Sequence, residues 1–154
     1  MHIAIDATPF KTGHKDRGVG KYTRLLINSL LKYESRHSYT IFERGQKVPE
    51  NVDLVHYPYF DPFFLMLPLL KTKPTVVTVH DLIPLLFPDK FPRGIRGAIK
   101  WNIQRLSLRG ATKIIADSES SKKDIVKLTG LDARNISRVY LAPDPAIVAG
   151  AKES

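Results

Sequence analysis

The chain has 154 residues, 43% of them hydrophobic and 25% charged, which is the composition of one globular domain and excludes a disordered or fibrous protein. It contains no cysteine, so disulfides, thiolate zinc sites and cysteine nucleophiles are excluded. A net charge of +9 favours polyanionic partners such as nucleic acid, an anionic membrane face or phosphorylated substrates, and charge alone does not choose among them.

Neither a metal site nor a membrane span is predicted. The five histidines are scattered along the chain without the close pairings of a metal site. No basic leader precedes an apolar segment at the N-terminus, and no apolar run approaches the roughly 18 to 20 residues that cross a bilayer. We therefore expect a cytoplasmic protein, with a peripheral position on the inner face of the membrane as the alternative.

The first predicted strand, at residues 3–6, is followed by a loop and then by a glycine-containing turn. Apolar residues recur at helical spacing over 22–33, so Gly18 and Gly20 lie at or just before a helix N-terminus. Such a turn can hold a phosphate, because glycine lets the backbone approach an anion and the first N–H groups of a helix point outwards. Arg17 and Lys21 add positive charge.

A glycine turn also has a purely structural explanation, the tight packing of a strand against a helix. The sequence lacks both the third glycine of the dinucleotide fingerprint and the Gly-Lys-Ser/Thr of a P-loop. It therefore supports neither NAD binding nor ATP hydrolysis.

Residues 74–79 are predicted to form the central strand of the fold. The run is rich in β-branched residues and shows no apolar/polar alternation, so both of its faces should be covered. His80 and Asp81 follow at its carboxyl end, the edge at which open α/β sheets bind ligands. The other predicted strands after the first are at residues 38–42, 52–57, 113–117 and 135–141.

Two helices are predicted after the central strand. The first, over 94–108, has a predicted core face and a basic face with Arg96 and Lys100, and a helix lying on a membrane surface is the alternative. The predicted core face consists of Ile95, Ala98, Ile99, Ile103 and Leu106. The second has Ser118 as N-cap and Ser121 in its first turn, and it ends near Thr129-Gly130.

Two apolar, proline-rich stretches are predicted to be loops. Residues 58–70 are interpreted as a partly buried loop with one helical turn that covers the sheet, or as an exposed surface for an acceptor, a lipid or a partner domain. Residues 82–92 should lie over the carboxyl edge.

Strands that alternate with helices or covering loops imply a doubly wound parallel sheet with right-handed crossovers. Residues 1–145 form the predicted domain, and residues 146–154 a C-terminal tail or the start of an interdomain linker.

Six segments in this order resemble the N-terminal half of family-4 glycosyltransferases, retaining enzymes of the GT-B fold that are often mannosyltransferase-like. The segments are Ile5-Asp6-Ala7, Gly18-Val19-Gly20-Lys21-Tyr22-Thr23, Val55-His56-Tyr57-Pro58, Val77-Thr78-Val79-His80-Asp81-Leu82-Ile83-Pro84, Ala116-Asp117-Ser118-Glu119-Ser120-Ser121 and Val139-Tyr140-Leu141-Ala142. The resemblance implies a Rossmann-like α/β/α domain, one half of a GT-B fold.

The resemblance also implies roles for individual residues. The turn Gly18-Val19-Gly20-Lys21 would face the diphosphate of a nucleotide-sugar. His80, with Asp81 beside it, would lie near the reacting sugar and the acceptor hydroxyl. The remaining candidates for the cleft or the acceptor side are Arg17, Tyr57, Ser118 and Ser121.

A complete family-4 enzyme also has a second domain that carries the nucleotide site. We expect this chain to be the acceptor-side half, with little activity alone, acting on a nucleotide-sugar and a glycan or lipid-linked acceptor in polysaccharide biosynthesis. The expected partner is a C-terminal GT-B domain, in cis or in trans; an anionic membrane surface and a homodimer are further candidates, and nucleic acid is not expected. No metal cofactor is expected. The alternatives are a stand-alone phosphate-binding module and a basic domain on a membrane surface.

Overall fold

A parallel six-stranded sheet forms the centre of the structure, a computed structural model that describes residues 1–11 and 18–143. Its strands lie in the order β2-β1-β3-β4-β5-β6, and every neighbouring pair is parallel. This arrangement confirms the predicted parallel sheet, although β6 is shorter than predicted. The strands are β1 His2–Asp6, β2 Ser38–Phe42, β3 Leu54–Tyr57, β4 Thr75–Val79, β5 Lys113–Ala116 and β6 Ile136–Arg138.

The α-helices are α1 Gly18–Tyr33, α2 Ile83–Leu86, α3 Gly94–Arg109 and α4 Glu119–Thr129, and 3₁₀ helices occupy Thr8–Lys11 and Ala133–Asn135. Helices α1, α3 and α4 lie close to their predicted positions, whereas the short helix α2 lies within residues 82–92, which were predicted to be a loop; Pro84 is in its first turn, where proline is tolerated. Ser118 caps α4, and its side chain accepts a hydrogen bond from the N–H of Ser121. Gly130 ends the same helix with a φ of 71°, a left-handed conformation that costs glycine little.

Helices cover both faces of the sheet, which confirms the three-layer α/β/α architecture. On one face, Ile5 of β1 packs against Ile27 of α1. On the other face, Val77 and Val79 of β4 belong to the larger core. Helices α3 and α4 contribute Trp101, Leu108 and Ile125 to that larger core. A right-handed crossover places its helix on the face that is set by the direction in which the chain moves across the sheet. The helix between β1 and β2 and the helices that connect the strands towards β6 therefore lie on opposite faces.

The central strand β4 is covered on both faces, as predicted. Val77, Thr78 and Val79 are at most 1% exposed, and β3 and β5 pair with the strand on either side. Burial of each valine side chain contributes roughly 1.5 to 3 kcal/mol of transfer free energy. The position of His80 at the carboxyl end of β4 is therefore fixed by the most buried part of the sheet.

The predicted core face of α3 is wrong. Ile95, Ile99 and Leu106 are 83%, 55% and 63% exposed. The helix instead buries a face formed by Gly97, Trp101, Gln104, Ser107 and Leu108. Hydrophobicity alone predicted that the face with the isoleucines would be buried. When a helix has two faces that could be buried, its neighbours in the fold decide which one is.

The neighbour that orients α3 is the loop between β3 and β4. Gln104 lies fully buried, and its Oε1 accepts hydrogen bonds from the N–H groups of Met66 at 3.3 Å and Leu67 at 3.2 Å. A Cβ on Gly97 would lie 3.7 Å from the Phe63 ring, an ordinary van der Waals distance, so this glycine faces the loop without being required by it. Hydrogen bonding of the buried Gln104 thus selects a face that apolar periodicity does not reveal.

That loop differs from its predicted form in one respect. It contains turns but no helix between residues 58 and 70, all of which the structure describes, so the predicted helical turn is wrong. Tyr59, Phe60 and Leu67 are buried, whereas Leu69 and Leu70 are exposed. The loop therefore combines the two interpretations, a cover for the core at one end and an apolar surface at the other.

The orientation of α3 can be tested with a matched pair of leucines. Leu108→Ala should lower the free energy of unfolding by about 2 to 5 kcal/mol, because Leu108 is fully buried and its removal leaves a cavity. Leu106→Ala, the same change two residues earlier, should alter it by less than about 0.5 kcal/mol. Urea denaturation of both variants measures the difference, and a larger loss for Leu106→Ala would contradict the observed orientation.

Candidate functional site at the carboxyl edge of the sheet

The side chain of His80 lies at the carboxyl end of β4 and is held from three directions. Its Nδ1 is 3.3 Å from Oδ2 of Asp117, and its Nε2 is 3.2 Å from the carbonyl oxygen of Pro58. The ring of Tyr22 meets the imidazole edge to face, with ring centroids 4.6 Å apart. Elements β3, β5 and α1 thus converge on one side chain that is only 14% exposed.

Both nitrogen partners of His80 are hydrogen-bond acceptors. A neutral imidazole carries one N–H and can donate to only one of them, whereas a protonated ring can donate to both. The protein therefore occupies both nitrogens of the ring. This arrangement orients the imidazole firmly, and a ligand that bonded to a ring nitrogen would have to displace Asp117 or Pro58.

Two serines connect the start of α4 to His80. The Oγ of Ser121 lies 2.6 Å from the carbonyl oxygen of His80 and 3.0 Å from Oδ1 of Asp117, and the Ser118 hydroxyl is 2.8 Å from the Ser121 hydroxyl. The carboxylate of Asp117 also lies beside the α4 N-terminus, where the helix dipole favours negative charge. The predicted site residues His80, Ser118 and Ser121 are therefore brought together.

Asp117 and Tyr22 are members of this cluster that the sequence analysis did not select. A signal for Asp117 was present, since it follows the strand next to β4 and the carboxyl ends of parallel strands share one edge. The sequence signal for Tyr22 was its position in the first turn of α1, beside the glycines. Its contact with His80 depends on the docking of the whole helix and was not accessible from the sequence.

Beneath His80, a chain of polar side chains runs into the core. The hydroxyl of Tyr22 hydrogen-bonds to the side chain of Thr78, and Nε2 of His56 lies 3.0 Å from Oγ1 of Thr78. Burial raises the pKa of Tyr22 and lowers the pKa of His56 to about 4. The interior end of the chain is therefore neutral at physiological pH.

The glycine turn begins α1 on the same edge. Strand β1 lies between β2 and β3, so α1 starts at the point where the chain reverses direction across the sheet. Gly18 is exposed, and within residues 1–11 and 18–143 a Cβ at this position would meet no atom within 4 Å. Lys21 is exposed and Gly20 is buried, while Arg17 lies outside the described residues. The fold itself therefore leaves room for a side chain at residue 18.

Two other predicted site residues are placed differently. The carboxylate of Asp81 is exposed, and its Oδ1 accepts a hydrogen bond of 3.0 Å from the N–H of Ile83 at the start of α2. Tyr57 is buried on the face opposite α1, where it lines a cavity of about 440 Å³ together with Asp6. Neither side chain has a recorded contact with the imidazole of His80.

Two buried groups of that cavity have shifted pKa values. Burial raises the pKa of Asp6, and the two hydrogen bonds that its carboxylate accepts from Thr8 partly offset the effect. Burial also raises the pKa of Tyr57 to about 12, with a smaller contribution from the nearby Asp6. Charged side chains line the cavity as well, namely Glu43, Arg44, Lys71 and Lys73.

Among the described residues, no group of three or more histidine, aspartate or glutamate side chains is arranged to hold a metal ion. The hydrogen-bond donors and acceptors at the edge are instead paired with one another. Metal independence stays a prediction.

Together, the fold and the edge define a Rossmann-like α/β domain whose candidate site lies at the carboxyl ends of its strands. The sequence model of Glycosyltransferase Family 4 matches residues 33–146, well over half of the chain. The chain belongs to glycosyltransferase family 4. The comparison with curated proteins gives no match. The matched range includes His80, Asp117 and the start of α4, and it begins after the glycine turn.

The buried histidine gives a prediction for the pH dependence of stability. Because the pKa of His56 falls from 6.5 to about 4 on folding, the unfolded chain binds a proton in this window that the folded chain does not. The free energy of unfolding should fall by up to about 3 kcal/mol as pH drops through the window. Urea denaturation of wild type and His56→Gln between about pH 8 and pH 5 measures the upper part of this window, in which about 2 kcal/mol should be lost.

The difference between the two proteins at about pH 8 gives the cost of the substitution itself. The change in this difference between pH 8 and pH 5 gives the contribution of His56 protonation. The variant should lose less stability than wild type over this range. Parallel pH profiles would show that His56 does not stay neutral in the folded protein.

Proposed function

We propose that this family-4 domain is the acceptor-side N-terminal domain of a retaining, mannosyltransferase-like enzyme of the GT-B fold. The enzyme transfers a hexose from a nucleotide-sugar to a glycan or lipid-linked acceptor. The observation that carries the proposal is the convergence of His80, the first turn of α1 and the N-terminus of α4 at one edge of the sheet. Glycosyl transfer is the chemistry that family membership suggests.

The donor diphosphate is assigned to the first turn of α1. Phosphate oxygens suit this position because the N–H groups of a helix N-terminus point outwards and carry partial positive charge. The open space around Gly18 admits a ligand close to the backbone, and Lys21 adds a positive charge. As the bond between the anomeric carbon and the diphosphate breaks, this turn stabilises the charge on the leaving oxygen.

The acceptor hydroxyl is assigned to the space in front of His80. Three contacts fix the imidazole, and the peptide carbonyl of His80 is fixed in turn by Ser121. Such rigidity favours a role in orienting the sugar and the attacking oxygen, which lowers the barrier by removing unproductive geometries. Asp81, whose carboxylate is exposed beside it, is the second proposed catalytic residue.

A donor-binding domain, in cis or in trans, is the proposed partner of this edge. The resemblance supports it, since family-4 enzymes react in the cleft between two such domains and without a metal. The substrate would then be bound between the His80 edge and the second domain. This arrangement predicts weak nucleotide binding and little turnover by the isolated chain.

Nucleotide titration tests the phosphate turn. Calorimetry with UDP, GDP, UDP-glucose and GDP-mannose, with and without magnesium, should give metal-independent binding to one nucleotide that Gly18→Val removes. The fold should tolerate the change, because a Cβ at residue 18 meets no atom of the described residues within 4 Å. Asn28→Val, at an exposed position of the same helix, is the matched control and should leave the affinity unchanged.

Equal nucleotide affinities for wild type and Gly18→Val would contradict the assignment of the donor diphosphate to this turn. Nucleotide binding to the turn with an affinity that a donor-binding domain does not change would favour the alternative, a stand-alone phosphate-binding module.

Reconstitution tests the two-domain proposal. The isolated chain should transfer sugar slowly or not at all, and fusion to the donor-binding domain of a family-4 enzyme should restore transfer. His80→Ala in the fusion should lower kcat by about a hundredfold or more, by loss of orientation at the reacting centre. Transfer by the isolated chain at the rate of a two-domain enzyme would contradict the proposal.

A further inference from the structure

The solvent face of α3 carries an apolar stripe that the fold does not use. Ile95, Ile99 and Leu106 are exposed and lie on one side of the helix, with the half-buried Ile103 at its margin. The buried residues Trp101 and Leu108 face the opposite side, towards the sheet. From Ile95 to Leu106 the stripe is about 17 Å long at the rise of an α-helix.

Positive charge lies along both margins of this stripe. Helix α3 has 16 residues with four basic and no acidic side chains. At 100° per residue, Arg109 and Arg105 lie beside the stripe on one flank of the helix, and Arg96 and Lys100 lie on the other flank, between the stripe and the buried face. No ion pair engages these four side chains within the part of the chain that the structure describes.

The loop between β3 and β4 extends the apolar surface beside the last turns of α3. The Ser107 hydroxyl donates a hydrogen bond of 2.6 Å to the carbonyl oxygen of Pro68, and Nζ of Lys71 lies 3.1 Å from the same hydroxyl. Leu69 and Leu70, between these two anchors, are 53% and 88% exposed. We call the set Ile95, Ile99, Leu106, Leu69 and Leu70 the α3 surface.

We propose that the α3 surface docks this domain on an anionic lipid bilayer, with α3 lying flat in the headgroup region. The apolar stripe enters the boundary with the acyl chains, and the basic margins contact anionic headgroups, as in other interfacial helices. Each lysine or arginine near such a surface contributes about 1 kcal/mol to binding. None of the described helices is long and apolar enough to cross a bilayer.

Charge is the reason for choosing a bilayer over a second copy of the chain. In a two-fold dimer built on α3, each stripe would face its own copy, and the four basic side chains of each helix would meet those of the other. Like charges at such a contact are unfavourable. An anionic lipid surface neutralises the same charges, and the proposal does not depend on the sugar transfer proposed above.

Vesicle sedimentation of the full chain tests the proposal. The chain should sediment with vesicles of phosphatidylcholine and phosphatidylglycerol and stay in solution with phosphatidylcholine alone. Ile95→Ser with Ile99→Ser should weaken binding by at least about tenfold, through loss of buried apolar area. The matched control, Leu31→Ser with Ile41→Ser, changes two exposed residues on α1 and β2 and should bind like wild type.

A second pair of variants separates a local effect from net charge. Arg96→Glu with Lys100→Glu should weaken binding by about tenfold or more. Lys32→Glu with Lys47→Glu changes the net charge equally at exposed positions elsewhere and should have a much smaller effect. Equal losses of vesicle binding in the two charge variants would contradict the proposal that the α3 surface docks on the bilayer.

Two further results would overturn the proposal. One is equal binding to neutral and anionic vesicles. The other is a dimer in sedimentation equilibrium that Ile95→Ser with Ile99→Ser dissociates, combined with no vesicle binding, which would assign the surface to a second copy. Circular dichroism of each variant verifies that it is folded.

Discussion

The parallel pairing of β4 between β3 and β5 is the constraint on which the rest of the structure depends. Parallel strands have all their carboxyl ends at one edge of the sheet, so residues that are far apart in sequence meet there. His80, Asp117 and Pro58 follow three neighbouring strands and become hydrogen-bond partners for this reason. The buried valines of β4 hold this edge in place.

The direction of travel across the sheet has a second consequence. Because the chain first steps from β1 to β2 and later returns past β1 to β3, α1 lies on one face and the later helices on the other. The start of α1 thereby lies at the reversal point, and Tyr22 reaches His80 from the face opposite α3 and α4. Helices from both layers thus contribute side chains to one edge of the sheet, and their contacts hold the imidazole of His80 in one orientation.

Helix α3 has two faces with different tasks. Its buried face is selected by Gln104, which hydrogen-bonds to the loop between β3 and β4, and this choice turns three large apolar side chains outwards. Exposed isoleucines and leucines on a basic helix lower solubility unless something covers them. The orientation of α3 therefore leaves a basic, apolar surface on the side of the helix that faces away from the core.

The sequence by itself determined the strands, most helix boundaries and the edge that holds the site, because β-branched runs, caps and turn residues are local signals. It also placed His80, Ser118 and Ser121 at this edge, where the structure brings them together. Only the tertiary structure decided which face of α3 is buried, since a loop distant in sequence selects it through Gln104. The partnership of His80 with Asp117 and Tyr22 was likewise decided by strand order and helix docking. These depend on contacts between distant segments, which no local pattern contains.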